Sequence, residues 1–241
     1  MTTIPIVRAA HLLIYVDALR EIGAPVDRAL AQSRLPGWIE DKPEAYVSLP
    51  LVLDWIGKCS RDVTVPELGY MAAEKMSLAA FDAAMEVAVL SAPTTYARIK
   101  AISRLAHRED SAVVLRVRQE GTNFRIFCDM PDFRDTPFYS FAEWLNLAGL
   151  TSLVGAHAGP AWHPVEMTYV CRSPQCDAAL DTHSNTRILS GQPYSSILVA
   201  SGVLSLPDMQ RPDSGSTPLP LIERAEGWDF VSALRSVLRP Y

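Results

Sequence analysis

Three polar residues recur at helical spacing inside a long apolar segment. Tyr139, Glu143 and Asn146 occupy positions i, i+4 and i+7 of the run FYSFAEWLNLAGLTSLVG, so they share one stripe of a helix that begins near Pro137. The rest of the run is apolar on most of its circumference, which predicts that the helix lies buried between other elements. A buried carboxylate is costly unless it meets a cation, a hydrogen-bond donor or water. The stripe therefore predicts a site for a cationic organic molecule, unless it is simply the solvent-facing side of an amphipathic helix.

Aromatic and sulfur-containing side chains near this stripe could hold the organic part of such a molecule. Aromatic faces attract ammonium groups, and small-molecule sites are lined mainly by apolar side chains. For the residues beyond the helix, ordinary core packing is the competing interpretation, because aromatics and methionine fill cores routinely. The candidate contacts are Phe138, Phe141 and Trp144 on the helix, and Trp162, Met167 and Tyr169 in the loop and strand that follow.

Sequence patterns of known catalytic and metal sites are missing. There is no G-x-S-x-G elbow, phosphate-binding loop, H-E-x-x-H pair or G-x-G-x-x-G turn. His157 and His163 lie near each other in a loop but have no partner motif. Cys171 and Cys176 form a C-x4-C pair, with His183 as the nearest further ligand, whereas a zinc site needs a full tetrahedral set. We therefore expect no catalytic residue, no metal ion and no cofactor.

The composition limits the class of protein. The chain has 241 residues, of which 49% are hydrophobic, enough to form a packed core. Its 27 acidic residues outnumber its 22 lysines and arginines, and this balance argues against direct binding to nucleic-acid phosphates. No apolar stretch is long enough to span a membrane, and residues 1–8 do not look like a secretion signal. A cytoplasmic address follows, in which the cysteines would stay reduced.

Apolar residues at spacings of three and four predict six helices in residues 1–107. Gly23 ends the first helix, and Thr94 or Thr95 can cap the sixth. The helices begin near Val7, Val26, Ser48, Pro66, Phe81 and Thr94. Basic residues on the sixth helix predict a solvated face, made by Arg98, Lys100 and Arg104.

After His107 the hydrophobic period changes from helical to alternating. Residues 113–117 and 124–128 predict a β-hairpin, which is followed by the long apolar helix. Residues 165–169 and 194–200 predict further strands of the same sheet, with a short helix between them. This order predicts an α+β fold, with an N-terminal helical region and then a mostly antiparallel sheet that has a buried helix between its strands.

The C-terminal segment differs in composition from the rest of the chain. Residues 207–220, PDMQRPDSGSTPLP, are too rich in proline, serine and glycine for regular structure, so they form a linker or a covering loop. Residues 228–238 regain helical spacing, and this helix either docks on its own domain or leads towards a partner. The predicted parts are residues 1–206, divided into 1–107 and 108–206, and residues 207–241.

The order and spacing of several stretches carry a resemblance to a known family. These stretches are VRAAHLLIYVDALREIGAPVDRALAQSRLP, ELGYMAAEKMSLAAFDAAMEVAVLSAPTTYARIKAI, the hairpin followed by EWLNLAGLTSLVG, ILSGQPYSSILVASGVLSLP and DFVSALRSVLRPY. They cover nearly the whole chain and resemble the N-terminal ligand-binding domain of AraC-type bacterial transcription regulators, in the branch whose sensor is not a cupin barrel. In that family the last stretch leads into a pair of helix-turn-helix motifs, which we expect to lie outside this chain.

The resemblance implies an effector-sensing and dimerising domain with no enzymatic activity. Its partners would be a small organic effector and a second copy in a homodimer, with DNA contacted only through the C-terminal domain and no membrane involved. The acidic balance and Glu143 favour an amine or an amino-acid-like effector, while a fatty or aromatic molecule stays open. The alternatives are a small enzyme centred on His157 or Glu143, a haem or gas sensor, and a dimerisation module without a ligand.

Overall fold

The structure, a computed structural model, is an α+β fold in which helices precede a five-stranded sheet, as predicted. It describes residues 4–60, 63–136, 139–156, 158–159, 162–172 and 185–204. In this part of the chain, no helix has the length and apolar character needed to cross a membrane.

Six helices form the described N-terminal part, as the periodicity predicts. Three of them begin with a side-chain cap, because Thr64, Asp82 and Thr94 each accept a hydrogen bond from the backbone N–H three residues further on. Ser48 stands at the N-cap position of the third helix without making such a bond. The bounds are α1 (Ala9–Glu21), α2 (Val26–Ala31), α3 (Leu49–Cys59), α4 (Val65–Lys75), α5 (Ala83–Leu90) and α6 (Thr95–Glu109).

The strands form two sheets. They are β1 (Ile6–Arg8), β2 (Tyr46–Ser48), β3 (Val114–Glu120), β4 (Asn123–Asp129), β5 (Glu166–Thr168), β6 (Arg187–Leu189) and β7 (Ser196–Ala200). β1 and β2 pair with each other, and the main sheet has the order β3-β4-β7-β5-β6. Its pairs are antiparallel except β5 with β6, so the predicted mostly antiparallel sheet is confirmed. The hairpin of β3 and β4 turns at Gly121, whose φ of 60° suits glycine.

The long apolar helix, α7 (Tyr139–Gly155), lies between α4 and the sheet and is buried on both sides, as predicted. Gly69 of α4 permits the close approach, because a Cβ there would lie 3.0 Å from Trp144 Cδ1 and 3.2 Å from the backbone oxygen of Ser140. One core cluster joins α1, α3 and the near side of α7, and a second joins α6, the far side of α7 and the sheet. A short helix, α8 (Ser201–Leu204), follows β7.

Arg98 departs from the predicted solvated face of α6. Its side chain is fully buried, with 0% exposure. Nε donates to the backbone oxygen of Val89 at 3.0 Å, and Nη1 donates to that of Val154 at 3.4 Å. These oxygens belong to the last turns of α5 and α7, where carbonyls lack helical partners and the helix dipole favours a cation. The arginine therefore joins two helix ends from inside the core.

Some predicted elements lie outside the described residues. They are the short helix expected before β6, the linker of residues 207–220 and the helix of residues 228–238, so these stay predictions. Three short strands, β1, β2 and β6, were not predicted from the sequence.

Candidate functional site

A cavity lies where the N-terminal helices meet α7 and the main sheet. The volume open to the centre of a water molecule is about 80 Å³, whereas one water needs about 10–15 Å³ by this measure. The space therefore suits several waters or a compact organic molecule. Most of the wall is apolar and includes Leu12, Val52, Ile102, Leu115, Leu145 and Leu150.

Glu109, at the C-terminal end of α6, and His11 are among the polar residues of the wall. Its Oε2 accepts a hydrogen bond from Arg8 Nη1 at 3.0 Å and lies 3.0 Å from His11 Nε2. Its Oε1 accepts from the backbone N–H of Asp82 at 2.8 Å. Burial works to raise the pKa of Glu109, but the hydrogen bond and charge of His11, the Asp82 N–H and the charge of Arg8 bring it below the ordinary value. Protein groups thus occupy both oxygens of an ionised Glu109.

Asp110 is the next residue and also lines the cavity. It is 8% exposed, and its Oδ1 accepts a hydrogen bond from the backbone N–H of Ala112 at 2.8 Å. Its backbone is fixed by a β-bridge to Val7. Burial raises the pKa of Asp110 to about 6, although the Ala112 N–H and the charge of His11 oppose the rise. Asp110 is therefore a buried carboxyl at the wall that ionises above about pH 6.

Of the predicted ligand-binding residues, Asn146 lines the cavity. Its Nδ2 lies 3.3 Å from the sulfur of Met130. Nearby on the wall, the hydroxyl of Tyr15 donates to the backbone oxygen of Phe141 at 2.5 Å, so its proton is already engaged.

Glu143 is not among the residues that line this cavity, and it is 3% exposed. Its Oε1 accepts hydrogen bonds from the Val170 N–H and the Ser195 hydroxyl, both at 2.5 Å, and its Oε2 accepts from the Cys171 N–H at 3.2 Å. Burial raises the pKa of Glu143 to about 7, against the effect of these three bonds. The solvent-facing alternative is wrong for this residue. The donors that its burial requires come from the protein.

The other predicted residues of α7 lie in the core. Tyr139 is buried, and its hydroxyl lies 3.0 Å from Ser195 Oγ, in the same network as Glu143. Phe141 packs edge-on against Tyr15 with ring centroids 6.2 Å apart. Trp144 packs between two tyrosines, with ring centroids 5.8 Å from Tyr70 and 4.3 Å from Tyr169.

The predicted residues after α7 also belong to the core. Met167 and Tyr169 are buried in the cluster between α7 and the sheet, and Trp162 packs against that cluster. A Cβ at Gly155 would lie 2.9 Å from the Trp162 ring, so the glycine at the end of α7 makes room for the indole. Phe138 lies outside the described residues. Ligand contact by any of these residues stays a prediction.

The candidate metal and redox residues are dispersed or lie outside the described part. His163 is exposed, and Cys171 is half-buried. His157, Cys176 and His183 lie outside the described residues. Where the structure describes the chain, no group of three or more His, Cys, Asp or Glu side chains is placed to hold a metal ion.

The polar wall of the cavity was not predicted from the sequence, although α6 carries a signal for it. The buried positions of α6 include Arg98, Ile102, Ala106 and Glu109, which recur at spacings of four, four and three. Arg98 and Glu109 stand at the two ends of this stripe and keep its helical spacing, so they belong to the same face of α6 as Ile102 and Ala106. That spacing would have placed Glu109 inside the fold.

Comparisons with known proteins give a family and a structural relative. The family described as the arabinose-binding domain of AraC transcription regulator, N-term, matches residues 23–207. A crystal structure of the transcriptional regulator CdpR from Pseudomonas aeruginosa is similar, with a TM-score of 0.52 and 14% identity. The similarity covers 80% of this chain and 57% of that chain, and at this identity it concerns the fold alone. None of the curated proteins matches this chain.

Proposed function

We propose that this chain, which belongs to the family of the N-terminal arabinose-binding domain of AraC transcription regulators, is a sensor that encloses a small organic effector in the cavity between its helices and its sheet. The effector would control DNA binding or activation by the full-length regulator. DNA would be contacted through a separate C-terminal domain. The excess of acidic residues in this chain agrees with that, because phosphate groups are bound mainly by lysine and arginine.

The cavity wall is built from both parts of the fold, the N-terminal helices and the part that holds α7 and the main sheet, and this observation carries the proposal. α1 and α3 form one side, while α7 and the β3–β4 hairpin form the other. A ligand in this space would contact elements from both core clusters. It could therefore favour one relative arrangement of the halves, which is the requirement for a regulatory ligand, because equal affinity for both arrangements shifts no population.

The remaining parts of the proposal come from the family and the sequence. We take the sensor to be a homodimer in the cytoplasm, to have no catalytic activity, and to bind an amine or an amino-acid-like molecule. Residues 207–241 would connect the sensor, residues 1–206, to the DNA-binding domain.

A thermal-shift screen tests whether the cavity binds a ligand. The chain would be screened against amines, amino acids, short fatty acids, aromatic acids, sugars and haem. A ligand present at about 100 times its Kd should stabilise the fold by about 2.7 kcal/mol. A Soret band in the ligand-free protein would support the haem-sensor alternative instead.

A cavity-filling variant locates the binding. Ala142 lies on the cavity wall, so Ala142→Phe should remove the thermal shift. Ala84→Phe, at an exposed position of α5, serves as the control and should retain it. A shift that survives in Ala142→Phe would place the ligand elsewhere and contradict the proposal, as would a screen in which no class of compound binds.

A further inference from the structure

One carboxyl oxygen of Asp110, on the cavity wall, receives no hydrogen bond from the residues that the structure describes. Asp110 Oδ1 accepts from the Ala112 N–H, while within the described residues no hydrogen bond reaches its second oxygen. The residue is nonetheless buried, with 8% of its surface exposed. Glu109 beside it has three donors shared between its two oxygens. Because Asp110 lines the cavity, a ligand that carries a hydrogen-bond donor can reach its carboxyl group and add the bond that the described residues do not supply.

The surroundings of Asp110 favour a positive ligand. Asp110 is the C-cap of α6, where the negative end of the helix dipole attracts cations. The positive charge of Arg8 is directed to the carboxylate of Glu109, and His11 contacts the same carboxylate. Among the described residues, no lysine or arginine lines the cavity. A carboxylate or phosphate head group would therefore find no free cation on this wall.

We infer that the cavity binds a small organic amine, with its ammonium group at Asp110 and its apolar body among the aliphatic side chains. This inference rests on the proposed function and narrows the effector class. An ammonium group supplies hydrogen-bond donors and a positive charge together, and a charge-assisted bond is stronger than a neutral one. Phe81, also on the wall, adds an aromatic face near this end, since its ring centroid lies 5.8 Å from that of His11.

The same wall argues against amino acids and sugars. An amino acid would bury its carboxylate without a cationic partner, and the loss of hydration of that ion opposes binding. A sugar would bury several hydroxyls against aliphatic side chains, and each hydroxyl left without a partner weakens binding. The cavity thus favours one polar head group on an apolar body.

Calorimetric titration of the whole chain tests the head-group preference. Benzyl, butyl and cyclohexyl bodies would each be supplied with an ammonium, a hydroxyl or a carboxylate head group, and L-arabinose would be added as the sugar. We expect at least one amine to bind about 10- to 100-fold more tightly than its alcohol, while its carboxylate and arabinose bind more weakly still.

Two variants locate the head group. Asp110→Asn keeps an oxygen for the Ala112 N–H but loses the charge, so it should weaken amine binding about 10- to 100-fold and leave alcohol binding within about threefold. Asp54→Asn removes an exposed carboxylate on α3 that does not line the cavity, and it should leave every affinity unchanged.

The outcomes separate the two hypotheses. Tighter binding of acids or sugars than amines in a cavity that Ala142→Phe blocks would overturn the amine inference while the sensor proposal stands. Equal amine affinities for the wild type and Asp110→Asn would also overturn it. Failure of every compound class to bind would refute the sensor proposal and the amine inference together.

Discussion

Replacing Glu143 with glutamine is expected to change how the stability of the fold depends on pH. Burial raises the pKa of this carboxyl from 4.5 to about 7 in the folded chain. A carboxyl with a raised pKa binds its proton more strongly in the folded state than in the unfolded state. Its contribution to stability is therefore complete below the unfolded pKa and is lost as the pH rises through the folded pKa. The window for Glu143 runs from about pH 4.5 to about pH 7.

The expected size follows from the pKa shift. One pKa unit corresponds to about 1.4 kcal/mol, so ionisation of Glu143 should lower the free energy of unfolding by about 2–3 kcal/mol between pH 5 and pH 8. Glu143→Gln cannot ionise and should not show this loss. Its amide nitrogen would face the Cys171 N–H, donor against donor, at a cost of about 1–3 kcal/mol. The variant should therefore be less stable than the wild type at pH 5 and nearly equal to it at pH 8.

Urea unfolding at constant ionic strength, measured at several pH values from 5 to 8, provides the assay. The difference between the two proteins at each pH isolates Glu143, because other titrating groups such as His107 and Asp110 contribute equally to both. Glu44→Gln, which removes an exposed carboxylate, should follow the wild-type curve. Parallel curves for Glu143→Gln and the wild type would refute the assignment of a raised pKa to this buried carboxyl.

Three further substitutions probe the packing and the cavity. Arg98→Met should lower the free energy of unfolding by about 2–4 kcal/mol, because two buried carbonyls lose a charged donor, whereas Arg104→Met on the exposed side of α6 should change it little; urea unfolding of both compares them. Gly69→Val should cost about 1–3 kcal/mol by forcing α4 away from α7, whereas Gly37→Val, where a Cβ meets nothing within 4 Å, should cost less, and thermal unfolding would show the contrast. Asp110→Asn should raise the free energy of unfolding at pH 8 by about 1–3 kcal/mol, because folding raises the pKa of this carboxyl and its ionisation above about pH 6 destabilises the fold. Urea unfolding measures this change, and a decrease would contradict the expected sign.

Hydrophobic periodicity predicted the elements that are long enough to repeat it. α1, α6, α7 and the β3–β4 hairpin each extend over two or more periods of their pattern, and all were predicted. β1, β2 and β6 have three residues each, too few to distinguish alternation from chance. Their existence depends on pairing with distant segments, as Val7 pairs with Val47, and one sequence does not display such pairing.

The polar interior was harder to predict than the elements. The apolar circumference of α7 correctly predicted that the helix would be buried, but it left open whether Glu143 faces solvent, and it did not predict that the donors to Glu143 would be Ser195 and the N–H groups of Val170 and Cys171. Backbone donors have no sequence signature, and these lie at least 27 residues away along the chain. The burial of Arg98 and Glu109 was not predicted for a related reason. A charged residue on a helix is normally assigned to solvent, unless the stripe of buried positions around it is followed to its ends.

Glu143 and Asp110 are both buried carboxyl groups whose pKa values are raised by burial, but they differ in the number of hydrogen bonds that they accept. Three protein donors reach Glu143, and one is given to Asp110 within the described residues. Removing the charge of a satisfied carboxyl should alter stability and leave ligand affinity unchanged. Removing the charge of an unsatisfied one at a cavity wall should increase stability and weaken the ligand, because the free energy that the empty fold loses is what an ammonium group recovers on binding. The paired responses of Glu143→Gln and Asp110→Asn therefore distinguish a carboxyl group that is bonded within the protein from one that binds the ligand.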